Sequence, residues 1–171
     1  MPMKPAGPLL ALLFAAAIAG GADLEVHFSP GGGCTRAITN ALAGARRSVN
    51  VQAYALTSAP IAGALVAAHQ RGVAVKVILD KGQRSDQYSS ADFLLHAGIA
   101  CLIDDAHAIA HNKIIIIDDR TVITGSFNFT RAAEEKNAEN LLLIQDRALA
   151  AKYAANWKTH AKHSTPYEGN K

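Results

Sequence analysis

Four consecutive isoleucines, Ile114 to Ile117, stand between His111-Asn112-Lys113 and Asp118. An unbroken β-branched run favours a strand, and a strand without polar alternation is one buried on both faces. Such a strand lies inside a sheet with a layer above it and a layer below. Side chains two apart on a strand point the same way, so His111 and Lys113 put an imidazole and an ammonium on one face. Asp118-Asp119-Arg120 is a turn, and Thr121-Val122-Ile123-Thr124 is the next strand, ending in Gly125-Ser126-Phe127-Asn128-Phe129-Thr130. Histidine, lysine, serine and asparagine gathered at one sheet end suit an anionic oxygen centre, and the phosphorus of a phosphodiester is the natural candidate.

The remaining chain supplies the layers. Leu24 to Phe28 alternates as a first strand, broken by Ser29-Pro30-Gly31-Gly32-Gly33. The glycine run lacks the Lys-Ser/Thr ending of a phosphate loop and reads as a strand-to-helix turn. The pattern then predicts a helix over Thr35–Arg46, a strand over Val49–Leu56, and a helix capped by Ser58 with Pro60 in its first turn, stopped by Gly72. A strand over Val73–Leu79 ends at Asp80; Ser85 is the expected cap of a helix to His96; Ile99–Ile103 is a short strand. After the isoleucine strand and its neighbour come a short helix over Thr130–Lys136, a strand over Asn140–Ile144 and a helix over Arg147–Lys162. Strands alternating with helices predict a single α/β domain, with a mixed, mainly parallel sheet sandwiched between helices. The short link at Asp118–Thr121 predicts that part of the sheet is antiparallel.

Lys4, an apolar run from Leu9 to Ile18 and the small residues Ala19-Gly20-Gly21-Ala22 have the layout of a secretory signal peptide. This divides the chain into a leader, 1–22, and a folded domain, 23–171, and predicts a periplasmic or secreted protein with no stable membrane association after cleavage. The 171 residues, half of them hydrophobic, suit one core, and a net charge of +3 mildly favours a polyanionic partner. The two cysteines, Cys34 and Cys101, suit a disulfide in an oxidising compartment, though the sequence leaves open whether their Cα atoms lie close enough.

His111-x-Lys113-x-x-x-x-Asp118, followed by Gly125-Ser126-x-Asn128, resembles the HKD motif of the phospholipase D superfamily. The match is specific because several polar residues and their spacings agree together. His160-Ala161-Lys162 has the bare H-x-K spacing but Tyr167 where the aspartate belongs, and reads as a solvated helix face. Phe28-Ser29-Pro30, Arg71-Gly72-Val73, Gly125 to Thr130 and Asn137-Ala138-Glu139-Asn140 are further similar to the small secreted Nuc-type bacterial endonucleases.

The resemblance implies a phospholipase D-like fold and a metal-independent phosphodiesterase without cofactors, acting as a sequence-nonspecific endonuclease on DNA, with RNA also open. It implies a homodimer, since one chain holds one motif. His111 of each copy would flank the phosphorus, one attacking to form a phosphohistidine and the other protonating the leaving oxygen. Lys113, Ser126 and Asn128 would bind the phosphate oxygens, and Glu139 would hold the far nitrogen of His111. Asp118 and Gly125 would support the motif structurally. A phospholipid or cardiolipin hydrolase of the same chemistry is the alternative substrate reading, and a catalytically silent nucleic-acid-binding module the other. No metal is expected: no H-E-x-x-H motif occurs, His27, His69, His96, His107, His160 and His163 show no constellation in sequence, and paired lysines would repel a cation. Glu134 and Glu135 read as helix surface.

Overall fold

The computed structural model describes residues 23–169, so the expected leader lies outside the described residues. Eight strands form one sheet in the order β1-β7-β6-β5-β2-β3-β4-β8. They are β1 Asp23–Ser29, β2 Ser48–Ala53, β3 Ala74–Asp80, β4 Ala100–Asp104, β5 Lys113–Ile117, β6 Thr121–Gly125, β7 Glu139–Gln145 and the two-residue β8 Thr165–Pro166. The helices are α1 Cys34–Ala43, α2 Ala59–Gln70, α3 Ala91–His96, α4 Arg131–Glu135 and α5 Arg147–His163.

The sheet is mixed, as expected. β1, β2, β3, β4 and β6 all run one way, but only β2–β3 and β3–β4 pair side by side in parallel. The parallel share of the ladders is smaller than the sequence pattern suggested, because the short β5–β6 connection permits only a hairpin and β5 then inserts antiparallel beside β2.

The isoleucine strand is buried along its whole length. Ile115 and Ile117 join the core under α1, α2, α3 and α4, with Ile38, Leu42, Leu65, Leu94 and Phe127. Ile114 and Ile116 face the opposite way, into a smaller cluster with Ala150, Ala154 and Trp157 of α5. Trp157 Nε1 donates to the Val51 carbonyl at 2.8 Å, which anchors α5 on the sheet centre without stranding a buried donor. Truncating either Ile115 or Ile116 to alanine therefore removes packing on one layer, at a cost of about 2–5 kcal/mol.

Two local expectations change. The Ser85 helix starts late; Lys81–Arg84 is a 3-10 turn and α3 begins only at Ala91. Polar side chains in that stretch serve neighbouring backbone instead: Gln83 Oε1 accepts from Leu56 N at 3.0 Å, and Asp86 Oδ1 from Tyr88 N at 2.9 Å. The Cys34–Cys101 bridge is also absent, both thiols being free and buried. Cys34 opens α1, while Cys101 lies on β4, beyond β2 and β3 in the sheet order.

Among the described residues, no helix is long and apolar enough to cross a membrane.

Candidate active site

The strand registers bring the motif residues to one edge of the sheet. Lys113 pairs with Ala53, Gly125 with Leu141, and Ser29 with Glu139. This edge is also where β2, β3 and β4 end, the carboxyl edge at which α/β sheets place ligands. Asp118 sits at the opposite end of β5.

His111 lies just before β5 rather than on it, which corrects the expectation of a regular strand face. Its exposed ring packs on Tyr54, with centroids 4.6 Å apart. Lys113 is buried, only 7% exposed; its Nζ donates to the His111 carbonyl at 2.8 Å and lies 5.2 Å from the Tyr54 ring centroid. Burial pushes the Lys113 pKa below the ordinary lysine value, while the negative charge of Glu139 works to raise it. A partly desolvated ammonium that keeps its proton is a strong ligand for a phosphate oxygen.

The segment before His111 is tied down from several sides. Asp80, at the end of β3, accepts from Gly82 N at 2.8 Å and from Ala110 N at 2.7 Å. Lys81 Nζ donates to the His107 carbonyl at 2.9 Å, and Tyr54 N to the Asn112 carbonyl at 2.8 Å. Tyr54 and Asp80 were not singled out as site residues in the sequence; their positions just after β2 and at the end of β3, at the same sheet edge, were the available signal.

Ser126 and Asn128 alternate with Phe127 and Phe129, which are both fully buried and hold the loop like two pegs. Ser126 N and Phe127 N both donate to the Asn140 carbonyl, and Ser126 Oγ accepts from Asn140 N at 3.0 Å. That leaves the hydroxyl proton of Ser126 for another acceptor. The Asn128 amide oxygen is buried without a hydrogen-bond partner. Gly125 has φ +150, and a Cβ there would stand 2.3 Å from the Asn140 carbonyl oxygen, so the tight approach of β6 to β7 needs glycine.

Glu139 starts β7, but its carboxylate accepts from Asn137 Nδ2 at 3.0 Å. The bond expected from the far nitrogen of His111 is not made in the single chain. Glu134 is more than helix surface: Oε2 accepts from Thr35 N at 2.7 Å and its carbonyl from Gly31 N at 3.3 Å, fixing the glycine turn before α1. Glu135 pairs with Arg131 on the surface at 2.8 Å. Asp118 has no part in this edge. Its carboxylate accepts from the backbone N–H groups of Arg46, Arg47 and Ser48, at 2.9, 2.7 and 3.0 Å, and so ties the start of β2 to the end of β5.

The family model described as cardiolipin synthase, PLD-like domain, matches residues 38–160. The chain belongs to the phospholipase D superfamily. A phospholipase D of Rickettsia felis is 47% identical over 130 residues, covering 76% of this chain and 65% of the relative. A mitochondrial cardiolipin hydrolase of Chlamydomonas reinhardtii is 36% identical over 112 residues, 66% of this chain and 50% of that one. The chain thus spans just under two thirds of the Rickettsia relative's length. The crystal structure of the phospholipase D family member Nuc from Salmonella typhimurium superposes with a TM-score of 0.84 at 35% identity, covering 87% of this chain and all of Nuc. NucT from Helicobacter pylori, at 21% identity and a TM-score of 0.80, shares the fold.

Histidines 107, 160 and 163 do form a constellation, contrary to the expectation from sequence. They converge on Asp104, at the same edge of the sheet but beyond β3. His160-Ala161-Lys162 is therefore no solvated face: the His160 side chain is only 14% exposed and bonds Asp104 at 2.7 Å.

Proposed function

We propose that this chain is a phosphodiesterase that cuts nucleic acid as a sequence-nonspecific endonuclease, DNA first and RNA where accessible, through a phosphohistidine. The observation that carries the reading is the exposed His111 ring beside the buried Lys113 ammonium, with the Ser126 hydroxyl and the Asn128 amide at the same sheet edge.

Displacement at phosphorus is in line, so it needs a nucleophile and a proton donor on opposite sides. One His111 nitrogen forms the bond to phosphorus as the bond to the leaving oxygen breaks. A second imidazole gives its proton to that oxygen. It then takes a proton from water, which attacks phosphorus and releases the first histidine. Lys113 neutralises the non-bridging oxygens throughout.

The second imidazole is His111 of another copy. Support for a homodimer comes from the face of β1 and β7 that α5 leaves uncovered. Leu24, Val26 and Phe28 are exposed there, with Leu142 and Ile144 beside them in register. Phe28 pairs with Asn140, whose backbone binds Ser126, so this apolar face runs up to the site edge. Export to the periplasm or medium is part of the same reading, supported by the leader-like sequence from Lys4 to Ala22.

The test is plasmid nicking in the presence of a chelator, parent against His111→Ala. Cleavage by the parent and none by the variant is expected; cleavage by both would refute the assignment. The relatives named phospholipase D and cardiolipin hydrolase favour a second reading, lipid phosphodiester hydrolysis at the same site. Net positive charge favours nucleic acid. Cardiolipin vesicles and plasmid assayed side by side separate the two.

A further inference from the structure

We propose that Asp104, His107, His160 and His163 form a zinc site that clamps the end of α5 to the loop leading into His111. Asp104 ends β4 with its side chain fully buried. His107 lies in the following loop, and His160 and His163 lie one turn apart at the end of α5. His160 Nδ1 stands 2.7 Å from Asp104 Oδ2, while His107 Nδ1 and His163 Nε2 stand 3.1 and 3.3 Å from Oδ1. The three imidazole centroids are 5.0, 5.2 and 5.3 Å apart, a nearly equilateral triangle around one carboxylate. One donor atom from each of the four residues lies within 4.8 Å of every other.

The same geometry suits neutral rings donating N–H to Asp104, a cluster that loads the carboxylate heavily and that a bound metal ion would replace. Oδ1 already accepts from Ala106 N at 3.2 Å, and a single negative charge balances only one imidazolium. Charging a second ring would place two cations about 5 Å apart. A divalent ion resolves the arrangement, because three neutral nitrogens and one carboxylate oxygen are all donors to it. Imidazole with carboxylate suits zinc rather than magnesium or calcium, which prefer oxygen alone. Ligands at about 2.0–2.1 Å from a tetrahedral zinc are about 3.3–3.5 Å from each other. His107 and His163, at 3.1 and 3.3 Å from Oδ1, are near that already, while His160, now 2.7 Å from Oδ2, would shift as the ion enters. Four protein ligands complete the tetrahedron, the pattern of a structural rather than a catalytic ion. Side-chain exposures of 45% at His107 and 34% at His163 give the ion a way in.

The site's position gives it a consequence. The loop it grips is the one that Asp80 and Lys81 hold at Ala110 and His107, immediately before His111. Zinc there would fix the approach to His111 from farther along the same sheet edge, with β2 and β3 between it and β5. The inference stands whether the substrate is nucleic acid or lipid.

The test uses the untagged full chain, stripped with a chelator and dialysed. Zinc(II) alone is titrated in competition with a chromophoric chelator, and cobalt(II) alone is followed by its visible spectrum. One zinc per chain, a rise in Tm on adding zinc, and the intense visible bands of tetrahedral cobalt are expected. His107→Gln and His163→Gln, at the two more exposed positions, should each weaken zinc by about 100-fold or more, since loss of mere outer-shell partners already costs up to about that. Circular dichroism checks that both variants fold. No zinc-dependent Tm rise and no tetrahedral cobalt spectrum in the parent, which needs no variant to interpret, would overturn the proposal. So would unchanged zinc affinity in the folded double variant.

Discussion

Lys113 shows how much a single side chain is asked to do at this edge. It is buried, yet among the described residues its Nζ donates only to the carbonyl of His111 two residues away, and it leans on the Tyr54 ring. Its remaining N–H groups are free to meet phosphate oxygens. Lys113→Met, similar in length and uncharged, is expected to lower kcat about 100-fold to 1,000-fold with the fold retained, as for loss of one preorganised charge partner. Burial holds the lysine pKa below 10.5, and proton loss would remove the phosphate clamp. The parent's rate should therefore fall on the alkaline side before ordinary lysines titrate, and a rate profile of parent against Lys113→Met reads this directly. Gly125 is the complementary case, where the absence of a side chain matters. Gly125→Ala drives a Cβ against the Asn140 carbonyl and should cost about 2–4 kcal/mol, visible as a lower Tm and displaced Ser126. Both residues were legible in the sequence because the motif fixes them by spacing. The exact setting of His111 was not, since nothing local says that β5 starts two residues later.

At the level of elements, β5 was readable from its isoleucines, because a run with no polar phase has only a two-sided burial to offer. What joins the elements was less so. Asp118 was expected to support the motif structurally, and its carboxylate accepts the backbone N–H groups of the segment entering β2. Asp118→Asn keeps a residue that tolerates its φ of 55 but replaces an acceptor with an amide that turns N–H towards N–H. The Arg46 and Arg47 donors are exposed and turn to water instead, so the loss is about 1 kcal/mol. Burial works to raise the Asp118 pKa, but the bonds from Ser48, Arg47 and Arg46 outweigh it, so the folded value lies below 3.8. A carboxylate with a lowered folded pKa contributes fully above its unfolded value and loses the contribution as pH falls through the folded one. Chemical denaturation should therefore show a constant gap between parent and Asp118→Asn from neutral pH to about pH 5, narrowing below about pH 4. The histidine cluster was invisible for a related reason. Asp104-x-x-His107 and His160-x-x-His163 lie on different elements, and only the sheet order with α5 laid across it brings them together. The late start of the Ser85 helix, at Ala91, is the converse, a sound local cap signal overridden because Gln83 reaches Leu56 N and Asp86 closes a local turn on Tyr88 N.

For the whole molecule, the proposed mechanism turns on one point: a chain carries one His111, and the proposed phosphohistidine route uses two imidazoles. In the proposed dimer the second copy would sit on the exposed stripe of Leu24, Val26 and Phe28. Phe28→Glu, on the stripe but outside the phosphate-binding set, should shift sedimentation towards the monomer and lower activity in proportion to the dimer lost. Mixing is the sharper measurement. His111→Ala is exchanged with the parent by dilution and reconcentration, at constant total protein. If each active site draws one histidine from each copy, only parent–parent dimers cut, and their fraction is the square of the parent fraction. An equal mixture should then retain about one quarter of the parent rate, whereas independent chains would retain about one half. Mixing His111→Ala with Lys113→Met adds a stricter condition. In that heterodimer the single remaining imidazole can attack phosphorus or protonate the leaving oxygen, but not both in one displacement. Rescue above the sum of the two variants would therefore mean that a site assembled from both copies works with one imidazole, and would overturn the two-histidine mechanism.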